Sequence, residues 1–427
     1  MNDAKIVENK ALKEKYFAYR HKSGLDIYVI PKNHTTTYAI FATKYGSVDS
    51  VFKTAGESDF TEVPDGIAHF LEHKLFEDEN GQDAFKKYAE TGASANAYTS
   101  FDRTAYLFSC TDNFEESLEI LLDMVTHPYF SEKTVTKEQG IIGQEIKMYD
   151  DNADWQVYFG LLGALYSRHA VRLDIAGTLK SISEITPEIL YKCYNTFYNF
   201  SNMALCVCGD VDPEVVLRVA DKVLTEQPVV EIARRGFNEP REVAKERVIK
   251  KLKVASPKFM IGIKDNDLCY GGARLAKKNA ELDIINEILF GKAGRFYSEM
   301  YSKGLINHKF GAGTTCNESY GHVEIFGESR EPLEVFARVK DVVEAARSRG
   351  LDREDFERCK RVMYARSIAM FDSTDNVANG FISCLFDGYD VLDYPGIVGS
   401  VTYEDAQARF MDYYKPERCA VSVVEPL

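Results

Sequence analysis

Thr186-Pro-Glu-Ile-Leu-Tyr-Lys-Cys-Tyr-Asn-Thr-Phe-Tyr198, running on to Ala204-Leu-Cys-Val207, has a second copy in Thr402-Tyr-Glu-Asp-Ala-Gln-Ala-Arg-Phe-Met-Asp-Tyr-Tyr414, running on to Ala420-Val-Ser-Val423. Both segments of the pair are 216 residues apart, and upstream Leu118-Glu-Ile matches Leu333-Glu-Val at a spacing of 215. A register held over so much of the chain indicates an internal duplication. Each copy reads as a helix followed by a β-rich run, so each half is expected to close on a strand.

Working outward, Gly24-Leu-Asp-Ile-Tyr-Val-Ile-Pro31 and Thr37-Tyr-Ala-Ile-Phe-Ala-Thr43 are β-rich and suited to adjacent strands. Helical periodicity takes over from Gly66, yields to a strand near Thr104-Ala-Tyr-Leu-Phe-Ser109 and resumes at Phe114. The expected class is α+β: two duplicated α/β roll-like halves, each a mostly antiparallel sheet with helices on one face. Gln227 to Glu246 is polar and punctuated by Pro228 and Pro240. It reads as a linker at 227–246, between a domain at 1–226 and a homologous domain at 247–427.

Composition excludes several classes. With 427 residues, of which 45% are hydrophobic, the chain can bury a core in each half. The net charge is −14 and there is no Lys/Arg run of the kind that tracks phosphates, so nucleic acid is not expected as a partner. No stretch is apolar enough to span a membrane, and the charged start Met1 to Lys13 lacks a signal-peptide core, so a cytoplasmic location is expected. Nine scattered cysteines read as reduced core thiols; Cys206 and Cys208 form a C-x-C pair inside a strand-like run, without the second pair a zinc site would need.

The sharpest local signal is His69-Phe-Leu-Glu72-His73. Residues i and i+4 lie one turn apart on a helix, so both imidazoles can reach a single metal, with Glu72 on the same side. His69, Glu72, His73 and Phe76 share one face, while Ile67, Phe70, Leu71 and Leu75 centre on the other. A hydrolytic zinc site needs a third protein ligand, and a carboxylate on another helix is the natural source. The helix-like segment Glu132 to Tyr149 places Glu138 and Glu145 seven residues apart on one face.

An H-x-x-E-H motif followed by an acidic helix resembles the inverzincins, the pitrilysin and insulysin family that also includes the mitochondrial processing peptidases. The resemblance spans nearly the whole chain and is most specific between Gly66 and Tyr149. It implies Zn2+ held by His69, His73 and Glu145, the last lying 72 residues beyond His73. It also implies Glu72 as general base and Glu138 as a nearby acidic residue that tunes the catalytic site. The stretch Asn96-Ala97-Tyr98 resembles the strand with which family members bind substrate as an added β-strand. The 1–226 domain is then the zinc-bearing catalytic one, and the implied activity is that of a zinc metalloendopeptidase acting on peptides or small unfolded proteins.

One departure shapes the expected partner. Many members carry an Arg and a Tyr in the non-metal half that bind the substrate carbonyl. Alignment on Gly294-Arg295-Phe296 and Lys303-Gly304-Leu305 puts Met300 and Asn307 at those places. Methionine has no donor and asparagine is a short neutral amide, and a displaced Arg295 does not reproduce a preorganised contact. An unlike fold-mate subunit supplying the Arg/Tyr pair is therefore expected, with a homodimer as the assembly in its absence. The competing readings are a non-catalytic core subunit that keeps the fold and a zinc hydrolase of small molecules; metal content tests the first and an enclosed pocket the second.

Overall fold

The computed structural model describes residues 4–427. Met1–Asp3, at the head of the stretch read as lacking a leader, lie outside the described residues. Thr186 and Thr402, which open the two repeated stretches, are both helix N-caps. Thr186 accepts a hydrogen bond from the Ile189 N–H and Thr402 from the Asp405 N–H, satisfying donors that the helix itself leaves unpaired. The capped helices Pro187–Phe197 and Tyr403–Tyr413 lead into the strands Met203–Gly209 and Cys419–Pro426.

The duplication is explicit in the sheets. In the first, strands run in the order Lys5–Asn9, Glu14–Arg20, Asp26–Pro31, Met203–Gly209, Thr37–Thr43, Thr104–Cys110, Ser94–Thr99. In the second, the order is Arg247–Leu252, Cys419–Pro426, Lys258–Lys264, Gly321–Glu328, Gly311–Cys316. The last five strands of the first sheet and the five of the second share one topology. In both, the closing strand of the half is inserted parallel to the first of the five and antiparallel to the next, and the remaining pairs are antiparallel. The fold is α+β, with two duplicated halves.

The compact units cut across the sequence. The first comprises Met1–Ile146, Asp174–Arg235 and Met370–Phe386; the second comprises Lys147–Leu173, Gly236–Ala369 and Asp387–Leu427. Each unit thus contains a helix from the other half of the chain. In the first unit, Leu25, Ile27, Val29, Ala39 and Phe41 pack under its own helices. The opposite face, bearing Tyr28 and Tyr38, is covered by helix Thr374–Phe386, whose Phe381 ring lies 4.8 Å from that of Tyr28. In the second unit, Phe259, Ile261 and Ile263 face the home helices. The opposite face receives helix Ala153–Leu165. A Cβ on Gly262 would stand 2.7 Å from Leu165 Cδ1, and one on Gly160 would stand 2.4 Å from Ser422 Oγ, so glycine at both places permits the close approach. Helices therefore line one face of each sheet as expected, and one further helix covers the other. This is also where the aromatic run around Trp155 goes: its indole stacks on Tyr149 with centroids 4.2 Å apart.

The polar stretch 227–246 is anchored. Ile232–Arg234 pairs with Val51–Thr54 in the first unit. In the second, the Glu239 carboxylate accepts from the backbone N–H groups of Ser167, Arg168 and His169 and pairs with the buried Lys264 at 2.7 Å. Among the described residues no helix is long and apolar enough to cross a membrane. All nine cysteines are free, and burial pushes the thiols of Cys206 and Cys208 up, the latter to about 12.

Candidate metal centre

Helix Ile67–Lys74 begins at Gly66, whose φ of +92° suits glycine and whose missing Cβ leaves room for the Ala176 carbonyl oxygen, which such an atom would meet at 2.5 Å. Ile67, Ala68, Phe70 and Leu71 are buried in the core of the first unit. That anchoring turns His69, Glu72 and His73 to one side, as their spacing predicts. The helix stops at Lys74, so Leu75 and Phe76 lie just past its end. Lys74 is fully buried and pairs with Glu77 at 2.8 Å; Glu77 also binds Lys137 of helix Glu132–Asp150. The two helices that carry the candidate ligands are thereby tied by an ion-pair chain.

Helix Glu132–Asp150 delivers both predicted carboxylates, Glu138 buried and Glu145 partly exposed. Glu145 Oε2 lies 3.7 Å from His69 Nε2 and 3.5 Å from His73 Nε2. Ligand atoms from His69, His73 and Glu145 all fall within 4.8 Å of one another. Two ligands about 2.0–2.1 Å from a tetrahedral ion stand roughly 3.3–3.5 Å apart, so the donor set fits zinc in both geometry and chemistry. His73 Nδ1 lies 3.1 Å from Glu138 Oε1, which leaves Nε2 facing Glu145. His69 Nδ1 is buried with no hydrogen-bond partner among the described residues.

Burial, reinforced by the neighbouring His73, pushes the His69 imidazole down to about 3, keeping it in the neutral form that a ligand requires. Burial also opposes charge on His73, but the Glu138 hydrogen bond and the carboxylates of Glu72, Glu138 and Glu145 outweigh it and raise its pKa. Burial lifts the Glu72 carboxyl above its usual range, against the opposing effects of its hydrogen bond from Thr99 and of His73.

Strand Ser94–Thr99 lies at the edge of the first sheet. Asn96 is exposed there, and its Oδ1 accepts from the Ala97 N–H at 2.9 Å. Tyr98 points to the opposite side from Ala97, and its hydroxyl donates to Asn379 Oδ1 at 3.2 Å. Thr99 points back under the metal helix and donates to Glu72 Oε2 at 2.7 Å. Sequence reasoning singled out Asn96, Ala97 and Tyr98 but neither Thr99 nor Asn379. Strand alternation carried the signal for Thr99, which falls on the same face as Ala97. A pocket of about 310 Å³ opens here, lined by Glu72, His73 and Asn96 together with Phe76, Phe85 and Ile141.

In the second unit Met300 is buried and Asn307 donates to Glu328 at 3.0 Å, so neither presents a cationic or phenolic group. Arg295 is exposed at the start of its helix. His322 is fully buried between Tyr166 and Glu324, as a structural histidine would be.

Residues 54–179 match the family model described as Insulinase (Peptidase family M16), and residues 184–363 match the Peptidase M16 inactive domain. The uncharacterized zinc protease YmfH of Bacillus subtilis is 40% identical, over 99% of each chain. A crystal structure of an M16-like peptidase from Alicyclobacillus acidocaldarius is 34% identical, with a TM-score of 0.93 over 99% of this chain and 100% of that one. The mitochondrial-processing peptidase subunit beta of Caenorhabditis elegans is 30% identical over 41% of this chain and 39% of its own.

Proposed function

This chain belongs to the insulinase-type peptidase family M16, and on that premise we propose that it is a zinc-dependent endopeptidase, the metal-bearing subunit of a two-chain cytoplasmic enzyme. The observation that carries the reading is the convergence of His69 Nε2, His73 Nε2 and Glu145 Oε2, with His73 also lining a pocket that Asn96 and Ala97 of the edge strand share. Zinc bound there would lower the pKa of water toward ~7 and polarise a scissile carbonyl.

The chain's own residues supply the rest. Strand Ser94–Thr99 takes an extended peptide on its free edge, at Asn96, Ala97 and Tyr98, by main-chain hydrogen bonds. Glu72 accepts the proton of the attacking water and returns it to the leaving amine, a role matched by its raised pKa. Glu138 holds His73 in one tautomer and orientation. No covalent intermediate is required.

Met300 and Asn307 leave the carbonyl clamp to a second, unlike chain of similar fold, and the likeness to a processing-peptidase subunit supports that assembly. The duplication boundary, on this reading, falls within 227–246. Hydrolysis of a quenched peptide library by the zinc-loaded chain, alone and with a fold-mate carrying the Arg/Tyr pair, tests the proposal, with Glu72→Gln as the control. Cleavage that needs the fold-mate and disappears in Glu72→Gln supports both halves of it. Equal turnover without the fold-mate removes the two-chain assembly, and undiminished cleavage by Glu72→Gln removes the base.

A further inference from the structure

Glu72 can serve as a base only if its carboxylate is aimed, and its helix does not aim it. The helix ends two residues later, and the glutamate side chain has free torsions of its own. Thr99 supplies the missing constraint. It sits on the edge strand, two residues beyond Ala97 and on the same face, and its Oγ1 stands 2.7 Å from Glu72 Oε2. Behind it, Thr104 Oγ1 lies 3.3 Å away and donates to the Tyr45 carbonyl oxygen at 2.9 Å. Thr104 and Tyr45 are both fully buried, so the far end of this chain is fixed in the core.

Each hydroxyl has a single proton. With Thr104 donating to Tyr45 O, the Thr99 proton is free for the Glu72 carboxylate. Once Glu72 has taken a proton from water, the Thr99 hydroxyl can turn, accept from the carboxylic acid and donate to Thr104 Oγ1. No net proton leaves the chain, and one hydroxyl serves both forms of the glutamate.

We propose that Thr99 is a positioning residue that holds the Glu72 carboxylate on line with the metal site through both halves of the reaction, with Thr104 as its backstop. The edge strand that receives substrate would then also set the base, so the two are coupled through the alternation of Ala97 and Thr99. This inference rests on the reading of Glu72 as the general base.

The test compares Thr99→Val, which keeps shape and backbone but removes the hydroxyl, with Thr99→Ser, which keeps the hydroxyl. It uses the zinc-loaded chain in whichever assembly turns over, and it measures kcat, KM and zinc content. Misplacing a reacting group by about 1 Å costs up to ~100-fold in rate. Thr99→Val is therefore expected to lower kcat roughly ten- to hundred-fold, with KM within about two-fold and zinc stoichiometry unchanged, and Thr99→Ser to restore most of it. Crystal structures of the wild type and Thr99→Val give a second readout: the Glu72 carboxylate should swing away from its place in the valine variant. An unchanged kcat, an equal loss in Thr99→Ser, or an unmoved carboxylate overturns the proposal. A Glu72→Gln protein that still cleaves would instead overturn the underlying reading, so the two failures are distinguishable.

Discussion

His73 Nδ1 and Glu138 Oε1 are 3.1 Å apart, and this contact decides which ring nitrogen faces Glu145. A carboxylate behind a ligating imidazole fixes its tautomer and raises its basicity, and losing such a partner typically costs 10- to 100-fold in metal affinity. Glu138→Ala should weaken zinc binding by about that factor, measured by competition with a chelator. Glu138→Gln, which keeps an acceptor but loses the charge, should fall between it and the wild type.

Zinc should stabilise the first unit through the three converging side chains. A ligand that binds only the folded state stabilises by about 2.7 kcal/mol at a hundred times its Kd. Zinc should therefore raise the Tm of the wild type. That rise should vanish in His69→Ala and in Glu145→Gln, as followed by calorimetry with and without chelator.

Asn379 bridges the hydroxyls of Tyr98 and Tyr38, accepting from the first at 3.2 Å and donating to the second at 2.9 Å. Its helix comes from the second half of the chain, yet it steadies the strand proposed to bind substrate. Asn379→Leu should raise KM several-fold and leave zinc content unchanged in steady-state assays of the assembled enzyme.

His169 gives the second unit an acid sensitivity. Burial, only partly opposed by Glu239, lowers its pKa from the usual 6.5 to about 4. An unfolded chain takes up a proton near pH 6.5, whereas the folded one resists until about 4. The contribution is thus fully present above 6.5 and is lost progressively as the pH falls toward 4, with a ceiling of about 3 kcal/mol. Denaturant titrations across that window should show a flatter pH dependence for His169→Gln, whatever its stability at neutral pH.

The close approach at Gly262 should tolerate no side chain. Gly262→Val would drive methyl groups into Leu161 and Leu165. Overpacking of this kind costs about 1–3 kcal/mol, and the variant should show that loss in equilibrium unfolding.

These sites differ in how far the chain announces them. His69, Glu72 and His73 are legible because helical spacing alone brings them together, and Thr186 and Thr402 because capping is local chemistry. Glu145 required a family resemblance, since spacing within its helix does not say which carboxylate meets the histidines. The exchange of helices Ala153–Leu165 and Thr374–Phe386 has no such local signature, because it depends on which sheet each one finds. Its traces are nonetheless there. Thr37–Thr43 is apolar at both alternations and buried throughout, as a strand covered on both faces must be. Ala153–Leu165 offers no polar face along Val157, Phe159, Leu161, Leu162 and Leu165. Thr99 and Asn379 stayed hidden because their partners lie in other elements.

That exchange bears on how the protein is made. The first sheet has all its strands once Gly209 is synthesised, but the helix that covers its outer face ends at Phe386. At about 5–20 residues per second the ribosome needs roughly ten to thirty seconds more to supply it. Throughout that interval Tyr28, Tyr38 and Ile40 have no helix over them, so the nascent chain presents an apolar sheet face to whatever is near. A fragment ending at residue 226 would lack that helix altogether and leave Tyr28, Tyr38 and Ile40 without their cover.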